Sequence, residues 1–433
     1  MRRVIWDTEV TAETVAAALP RANSTGTSVT DKVVELIEEV RKTGKRALAK
    51  HAEIFDGVIP SEFRVPQSIL DLALKNLDPA LRSAIEESIS RVQRVSQAQL
   101  PSPVETEVTS GGIVRLNFVP VASAGVYVPG GKAVYPSSVI MNVVPAQVAK
   151  VPRIVLASPA QKSNNGLPDP TVLATAALLG VDEVYAIGGA SAVAALAYGV
   201  SEIDLDPVQI ITGPGNIFVA TAKQMVRSVV AIDSEAGPTE IMIIADSTAN
   251  PTWVAADLIS QAEHDENAAA VLITDSAELI EKVSAELTKQ IEVAPNRSRI
   301  EAAFSGEQSA LVLVSDLAQA VAIANEYAAE HLEIQTSNSP AIAQQITNAG
   351  AVFIGSHSPV SLGDYLAGSN HVLPTGGQAK RSSGLSVYSF LRQQQVVSFS
   401  EQTLAEASGQ VEIFAKAEGL PGHADAVSIR FKS

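Results

Sequence analysis

The sequence predicts an α/β protein with two Rossmann-like parallel-sheet domains, a helical N-terminal region and a small C-terminal tail domain. Of its 433 residues, 46% are hydrophobic but only 4% are aromatic, a balance typical of buried parallel strands. Strand and helix patterns alternate from about residue 106 to about residue 381, which implies right-handed crossovers and mostly parallel sheets. Three of the strands run into glycine-containing turns. We expect four segments: 1–105, 106–235, 236–381 and 382–433.

The first segment is expected to be helical. Amphipathic spacing predicts helices over 28–49 and 79–99, with Thr30 and Asp78 as candidate N-caps. His51 follows the first of these helices in a charged setting, and we predict that it is an ordinary surface residue.

Residues 106–235 change to the alternating pattern. The predicted strands are 113–119, 125–128, 153–157, 183–187 and 208–211. Helices are predicted over 139–148, over 171–179, after Gly188-Gly189 as far as Tyr198, and after 216. Glycines follow three of these strands, at Gly130 in Pro129-Gly130-Gly131-Lys132, at Gly188 and at Gly213.

These glycine turns indicate a nucleotide site. In an open α/β sheet, ligands bind beyond the carboxyl ends of the strands, and glycine lets the backbone approach a phosphate near a helix N-terminus. None of the three turns fits G-x-G-x-x-G, and each alone is equally well explained as a tight turn. As a set they favour a nucleotide site of unusual design.

Residues 236–381 repeat the alternation, and the tail follows. The predicted strands are 240–245, 269–274, 311–314 and 332–335, separated by helices over 251–264, 276–292 and 315 to about 330. The last residues, from about 385 to 433, are too few to bury a core alone. We expect them to pack on something else, such as a second subunit.

Charge and composition exclude several classes of function. The net charge is −16, from 31 basic and 47 acidic residues, and no basic cluster offers the face that nucleic acid needs. No apolar run predicts a signal peptide or a membrane span, so we expect a soluble, cytoplasmic protein. Cysteine is absent, which excludes disulfides, thiolate metal sites and a thiol nucleophile. An aldehyde would therefore be oxidised through its hydrate.

Gln261 and His264 form the first candidate metal pair. They stand three residues apart near the end of a predicted helix, so an amide oxygen and an imidazole nitrogen can point to one spot. The alternative is that both are solvated residues at a helix end.

Two further polar groups lie later in the chain. Glu330 and His331 fall where a helix gives way to a strand, and at such a joint two neighbouring side chains can converge as an acid/base pair. A charged helix terminus is the alternative. Asp364, in the loop-like stretch 363–376, is a candidate carboxylate ligand, whereas we predict that His357 is a surface-turn residue.

Collected, these segments resemble the histidinol dehydrogenase family. The resemblance covers roughly residues 25 to 430 and runs, in matching order, through Tyr127-Val128-Pro129-Gly130-Gly131, Gly213-Pro214-Gly215-Asn216, Ala236-Gly237-Pro238-Thr239-Glu240, Ser260-Gln261-Ala262-Glu263-His264, Ala329-Glu330-His331-Leu332, Gly363-Asp364-Tyr365 to His371-Val372-Leu373-Pro374, and Glu418-Gly419 to His423.

The resemblance implies a zinc-dependent, NAD⁺-linked dehydrogenase that takes L-histidinol through the aldehyde to L-histidine. It also implies one Zn²⁺ per subunit and a homodimer in which Glu418 and His423 reach across to the neighbour's site. Carried over by position, the zinc ligands are Gln261, His264, Asp364 and His423, the bases are Glu330 and His331, further substrate contacts are Thr239, His371 and Glu418, and the NAD contacts are Tyr127, Ser191 and Asn216.

Two positions depart from the family. Ser191 stands where many members have a glutamine facing the cofactor, and Thr239 where many have serine. The details of the NAD contact are therefore open.

The residue types agree with this chemistry. Two oxygen and two nitrogen donors suit zinc better than a thiophilic metal, and neutral substrate nitrogens could add to the ion, so activity should fall at acidic pH. We hypothesise that His331 accepts the alcohol proton and that Glu330 activates water to form the aldehyde hydrate. The alternatives are a related zinc/NAD dehydrogenase of another small diol or amino alcohol, a zinc hydrolase, and a non-catalytic metal-binding protein.

Overall fold

The computed structural model describes residues 1–22, 27–130, 134–234 and 237–432. Gly131, Lys132 and Ala236, which belong to the sequence motifs above, lie outside the described residues. Contacts divide the chain into two compact units. The first unit is Met1–Gln99 with Ala122–Phe390, and the second is Leu100–Val121 with Leu391–Ser433.

The predicted α/β class with parallel sheets is confirmed. The strands are β1 (Arg2–Ile5), β2 (Val104–Thr109), β3 (Gly112–Pro120), β4 (Ala124–Tyr127), β5 (Ile154–Ser158), β6 (Glu183–Ala186), β7 (Ile210–Thr212), β8 (Ala231–Ile232), β9 (Glu240–Ala245), β10 (Ala269–Thr274), β11 (Ala310–Leu313), β12 (His331–Gln335), β13 (Ala351–Ile354) and β14 (Leu391–Phe399).

Helices cover much of the rest of the described chain. They are α1 (Ala12–Ala18), α2 (Thr27–Thr43), α3 (Lys45–His51), α4 (Gln67–Asn76), α5 (Pro79–Ala98), α6 (Pro136–Val148), α7 (Pro170–Leu178), α8 (Gly189–Tyr198), α9 (Ile217–Val226), α10 (Pro251–Ala262), α11 (Ala277–Val293), α12 (Arg297–Ser305), α13 (Leu317–Tyr327), α14 (Ser339–Ala343), α15 (Val360–Tyr365), α16 (Glu401–Ala417) and α17 (Pro421–Ser428).

Two parallel sheets of the first unit share one strand order. The first sheet runs β6-β5-β4-β7-β8 and the second runs β1-β11-β10-β9-β12-β13. In the first sheet, β4, β5 and β6 are added outward in one direction, and the chain then returns to add β7 and β8 on the other side of β4. In the second sheet, β9, β10 and β11 are added outward, and β12 and β13 follow on the other side of β9. The point of reversal lies between β4 and β7 in one sheet and between β9 and β12 in the other, and such a point is where α/β folds open a ligand crevice.

Strand β1 differs from the prediction that residues 1–105 are helical. Arg2–Ile5 pairs in parallel with β11 at the edge of the second sheet. Four residues give too short a pattern to reveal a strand, and the pairing depends on a partner more than 300 residues away in the chain.

The predicted helix over 28–49 is two helices. Gly44, between α2 and α3, has a φ of +47°, a left-handed conformation that interrupts the helix. Thr30 lies inside α2 and is not its N-cap. Asp78 does cap α5, accepting hydrogen bonds from the amides of Ala80 and Leu81 at 3.0 and 2.9 Å.

The second unit is built on an antiparallel sheet. Its strand order is β14-β3-β2, and α16 and α17 follow β14 in the chain. The predicted strand 113–119 thus lies in β3, paired with the tail strand β14, although the sequence analysis placed it in the segment 106–235. The tail obtains part of its packing from residues 104–120 of its own chain.

Among the described residues, no helix is both long enough and apolar enough to cross a membrane.

A buried ion pair holds the turn after β7. Lys223 of α9 pairs with Asp233, and the two side chains are 1% and 2% exposed. The Asp233 carboxylate accepts the Gly213 amide at 2.8 Å, and the Lys223 ammonium donates to the Gly213 carbonyl at 3.0 Å. Gly213 has a φ of +119°, and a Cβ there would collide with the carbonyl of Tyr127. The pair therefore fixes the glycine turn at the point of reversal of the first sheet.

Replacing Lys223 by methionine should destabilise the protein by about 3–5 kcal/mol, because it leaves the Asp233 carboxylate buried without its counter-ion. Urea unfolding followed by circular dichroism measures the change. Lys282→Met, which removes the exposed partner of Glu278, is the matched control and should shift stability by less than about 1 kcal/mol. Equal midpoints for the two variants would contradict the structural role given to the pair.

Candidate active site

A buried polar cluster lies at the amino ends of two neighbouring strands in the second sheet. Thr239 directly precedes β9 and Glu330 directly precedes β12, and His331 pairs in register with Ile241. Gln261 stands in the last turn of α10. His264 lies two residues beyond the end of α10. Its backbone amide donates to the Gln261 carbonyl at 3.2 Å.

The predicted joint between helix and strand at Glu330 and His331 is confirmed. Helix α13 ends at Tyr327, and Ala328 follows with a φ of +54°. This left-handed residue ends the helix and turns the chain towards β12. Gly350 packs below the joint, where an added Cβ would lie 2.5 Å from the Glu330 carbonyl oxygen.

Gln261, Thr239 and Glu330 form a directed hydrogen-bond chain. The Gln261 amide nitrogen donates to the Thr239 hydroxyl oxygen, and the Thr239 hydroxyl donates to the Glu330 carboxylate. The Glu240 backbone amide donates to the same carboxylate oxygen at 3.0 Å. Gln261 is 1% exposed, and its amide oxygen has no hydrogen-bond partner among the described residues.

Burial prepares Glu330 and His331 for proton transfer. It raises the pKa of the Glu330 carboxyl to about 7, against the opposing effect of the Thr239 hydrogen bond. It also lowers the pKa of the His331 imidazole, which favours the neutral ring. Nδ1 of His331 lies 3.1 Å from the Glu240 carbonyl. A carbonyl only accepts, so Nδ1 carries the proton.

The other nitrogen of His331 is available as a base. Nε2 is buried and has no hydrogen-bond partner within the part of the chain that the structure describes. Because Nδ1 carries the proton of the neutral ring, Nε2 presents a lone pair.

Asp364 and His371 face this pair from a separate segment. Asp364 lies in α15, and the backbone amide of Val360, the first residue of that helix, donates to the buried Glu333 carboxylate at 2.7 Å. His371 Nδ1 lies 3.2 Å from the Asp364 carbonyl, and Nε2 lies 3.3 Å from the Ser138 hydroxyl. Burial lowers the pKa of His371, while the Asp364 carboxylate opposes that effect.

Electrostatic coupling shows which predicted residues share one neighbourhood. The Asp364 carboxylate acts on Glu330, His331 and His371, and His264 acts on Glu330 and His371. Together with the hydrogen-bond chain, this brings together seven of the predicted residues: Thr239, Gln261, His264, Glu330, His331, Asp364 and His371.

The two predicted residues of the tail belong to the second unit. Glu418 is the C-cap of α16 and His423 lies in α17, and both are exposed. Within the described residues, no group of three or more His, Asp or Glu side chains is placed to hold a metal ion.

The predicted NAD contacts lie at the carboxyl ends of the first sheet. Tyr127 ends β4, and its hydroxyl accepts the Gly189 amide of α8 at 3.1 Å. Burial raises the pKa of this phenol to about 12. Ser191 lies in the first turn of α8, and Asn216 caps α9 by accepting the amides of Phe218 and Val219.

The prediction that His51 is a surface residue is wrong. His51 is 3% exposed and contacts the Ser191 hydroxyl at 2.7 Å and the Glu39 carboxylate at 2.9 Å. His51, the last residue of α3, packs against α8. The charged residues that flank His51 in the sequence do not reveal this contact. His357 is exposed as predicted, with its ring 5.6 Å from that of Trp253.

A cavity of about 240 Å³ adjoins the segment before β9. Its lining includes Arg21, Gly237, Glu240 and Thr375, and Arg21 pairs with the buried Glu240 carboxylate at 2.9 Å. Burial raises the pKa of Glu240 to about 7. None of the proposed zinc ligands lines this cavity.

Comparison with known proteins identifies the family. The profile of the histidinol dehydrogenase family matches residues 19–431. The chain belongs to the histidinol dehydrogenase family. Histidinol dehydrogenase of Nocardia farcinica is 54% identical over 429 residues, which cover 98% of this chain and 96% of that protein. The enzyme of Thermobifida fusca is 54% identical over 414 residues, 96% of this chain and 94% of that one.

A solved structure supports the same family assignment. Histidinol dehydrogenase from Elizabethkingia anophelis superposes with a TM-score of 0.93 at 31% identity, covering 100% of this chain and 98% of that one. Membership of the histidinol dehydrogenase family makes the protein an oxidoreductase of histidine biosynthesis. The hydrolase and non-catalytic alternatives are thereby excluded.

Sequence reasoning missed three residues that support the candidate site. Ser138 contacts His371, the Glu240 backbone orients both Glu330 and His331, and Glu333 anchors the helix that carries Asp364. Glu333 had a signal: β12 is buried throughout, although three of its five residues, His331, Glu333 and Gln335, are polar. Polar side chains in a fully buried strand indicate a local network.

Glu333 makes stability depend on pH. Burial and the nearby Asp257 carboxylate raise the pKa of Glu333 well above the ordinary value for glutamate, and Gln335 donates to both carboxylates at 3.0 and 2.7 Å. A raised folded pKa gives stability that is present at acidic pH and is lost as the pH rises through the folded value.

Glu333→Gln should therefore reduce the loss of thermal stability between about pH 5 and about pH 8.5. Differential scanning calorimetry of both proteins across this range measures the difference. Glu301→Gln, at an exposed glutamate of α12, should keep the slope of the original protein. A slope that Glu333→Gln leaves unchanged would contradict the assignment.

Proposed function

We propose that this enzyme oxidises L-histidinol to L-histidine in two successive NAD⁺-dependent hydride transfers, the last step of histidine biosynthesis, at the buried cluster around Glu330 and His331. The observation that carries the proposal is the pairing of a buried carboxyl whose pKa lies at about 7 with a buried imidazole whose Nε2 has no partner in the described chain. Two neighbouring bases suit a reaction with two proton-transfer steps.

We propose that the cluster binds one zinc ion per subunit together with a residue of a second subunit, since the described chain alone assembles no group of three metal-binding His, Asp or Glu side chains. The Gln261 amide nitrogen is engaged by Thr239, so the unpartnered amide oxygen is the atom left to bind a cation. The Asp364 carboxylate and His264 both act on Glu330, which Thr239 links to Gln261, and oxygen and nitrogen donors of this kind suit Zn²⁺. When bound, zinc would orient the substrate's amino and imidazole nitrogens, and NAD⁺ would take the hydride.

His331 serves the first step. Its neutral ring is held by the Glu240 carbonyl, which leaves Nε2 to accept the hydroxyl proton as the alcohol is oxidised. Burial lowers the pKa of this ring, so the base form is present at neutral pH.

Glu330 serves the second step. Its carboxylate takes a proton from water as the water adds to the aldehyde, giving the hydrate from which the second hydride leaves. The chain has no cysteine, so no thiohemiacetal can replace this hydrate. Thr239 and the Glu240 amide hold one oxygen of Glu330 and leave the other for the water.

The dinucleotide is proposed to bind at the carboxyl ends of the first sheet, touching Tyr127, Ser191 and Asn216. Support comes from the glycine turns after β4, β6 and β7, which follow strands at and near the sheet's point of reversal. Ser138, in α6 just after β4, contacts His371, which links this edge of the first sheet to the catalytic cluster.

The site is proposed to be shared between two subunits, with His423 as the fourth zinc ligand and Glu418 as a substrate contact from the partner. Large apolar side chains are exposed in the second unit, among them Val397, Ile413, Phe414 and Ile429 at 63–72%. Apolar surface of this extent is typical of an interaction site, and it supports a homodimer formed through the second unit.

Glu330→Gln should spare oxidation of the alcohol and reduce oxidation of the aldehyde by about 10²–10⁴-fold, because only the second step needs a base for water. Single-turnover measurements that start from L-histidinol and from L-histidinaldehyde separate the two steps. His331→Gln is the matched variant and should slow the first step. Equal losses of both steps in Glu330→Gln would contradict the assignment.

Gln261→Ala and His423→Ala should each lower bound zinc and abolish activity, and mixing the two inactive proteins should restore part of it. A heterodimer pairs one intact set of ligands from the two chains, up to about a quarter of sites for random exchange. Zinc content by atomic absorption gives a readout independent of turnover. No recovery in proteins shown to have exchanged subunits would exclude the shared site.

A further inference from the structure

We propose that Glu39, His51 and Ser191 form a relay that turns the Ser191 proton away from the cofactor, so that Ser191 meets NAD⁺ only as a hydrogen-bond acceptor. The inference rests on the proposed placement of NAD⁺ at Ser191. His51 is then a positioning residue, since it acts on the cofactor through Ser191.

The relay joins three helices of the first unit. Glu39 lies in α2, His51 is the last residue of α3, and Ser191 lies in the first turn of α8. His51 Nε2 is 2.9 Å from a Glu39 carboxylate oxygen, and His51 Nδ1 is 2.7 Å from the Ser191 hydroxyl. His51 and Ser191 are 3% and 5% exposed, so the contacts between them are shielded from water.

The charges fix the direction of both hydrogen bonds. Hydrogen bonds from Lys50 and His51 lower the pKa of Glu39, which keeps its carboxylate ionised and able only to accept. Nε2 of His51 therefore carries a proton. Burial lowers the pKa of the His51 ring, so the ring is neutral and Nδ1 has a lone pair. The Ser191 hydroxyl must then donate to Nδ1.

The free lone pairs of Ser191 determine what it can bind. A ribose hydroxyl or the nicotinamide carboxamide offers a proton to this oxygen, whereas a phosphate oxygen does not. The Asp56 carboxylate adds a second acceptor beside the start of α8, where its oxygen lies 3.3 Å from the position a Cβ would take at Gly188. At Gly189 a Cβ would meet nothing within 4 Å, so space is open in front of this turn.

The test is a double-mutant cycle in the zinc-loaded enzyme. Ser191→Ala should raise the KM for NAD⁺ about fivefold, with kcat nearly unchanged, because it removes one neutral hydrogen bond to the cofactor. His51→Phe should raise the KM by up to the same factor, because the Ser191 hydroxyl loses the acceptor that orients its proton. The double variant should raise the KM no further than Ser191→Ala alone, since His51 acts through Ser191. His51→Asn, which keeps an acceptor oxygen near the position of Nδ1, should restore most of the affinity.

A matched control removes a buried hydroxyl elsewhere in the same unit. Thr175→Val deletes a hydroxyl that donates to the Thr171 carbonyl in α7, and the KM for NAD⁺ should stay at its original value. A similar rise in this control would mean that the effects come from general destabilisation, and it would overturn the relay.

The outcomes separate the relay from the proposed cofactor site. If Ser191→Ala leaves the KM for NAD⁺ unchanged, the proposed NAD contact at Ser191 is wrong. If Ser191→Ala raises the KM for NAD⁺ and the double variant raises it by the product of the two single changes, the NAD contact stands and the relay is wrong. Binding of ADP-ribose then identifies the donor: an equal loss in Ser191→Ala supports a ribose hydroxyl, and a loss confined to NAD⁺ supports the carboxamide.

Discussion

The proposed catalytic cluster depends on the single hydroxyl proton of Thr239. Because the Gln261 amide nitrogen donates to the Thr239 oxygen, the Thr239 proton is directed to Glu330. The same arrangement turns the Gln261 amide oxygen away from Thr239 and leaves it without a partner in the described chain. One hydroxyl thus sets the orientation of a proposed metal ligand and of a proposed base. A serine at position 239 has the same hydroxyl and could make the same two hydrogen bonds.

The two sheets share a strand order but would have different tasks. The glycine turns lie at the carboxyl ends of the first sheet, where ligands of α/β folds usually bind. The polar cluster instead lies at the amino ends of β9 and β12 in the second sheet. The segment with Asp364 and His371 joins them, since His371 contacts Ser138 and the Asn370 amide donates to the Met141 carbonyl at 2.6 Å. Repetition of a fold therefore does not imply repetition of a site.

Local sequence patterns predicted those features of the fold that depend on residues close together in the chain. The alternation of strands and helices, the cap at Asp78 and the joint before His331 are all encoded within a few residues. Long-range packing was not predictable in this way. The burial of His51 depends on α8, about 140 residues later in the chain, and the pairing of β3 depends on β14. The seven clustered site residues were reached through family resemblance, because spacing alone left ordinary alternatives open for Gln261, His264, Glu330 and His331.

The antiparallel sheet of the second unit has a consequence for biosynthesis. Strands β2 and β3 can pair as soon as they leave the ribosome, but β14 joins them only after the whole intervening unit has been translated. Sheets closed by such distant strands form slowly, because the loop entropy must be overcome first. During synthesis the edge of β3 that receives β14 therefore stays unpaired while residues 122–390 are made, and an unpaired strand edge is open to wrong pairing.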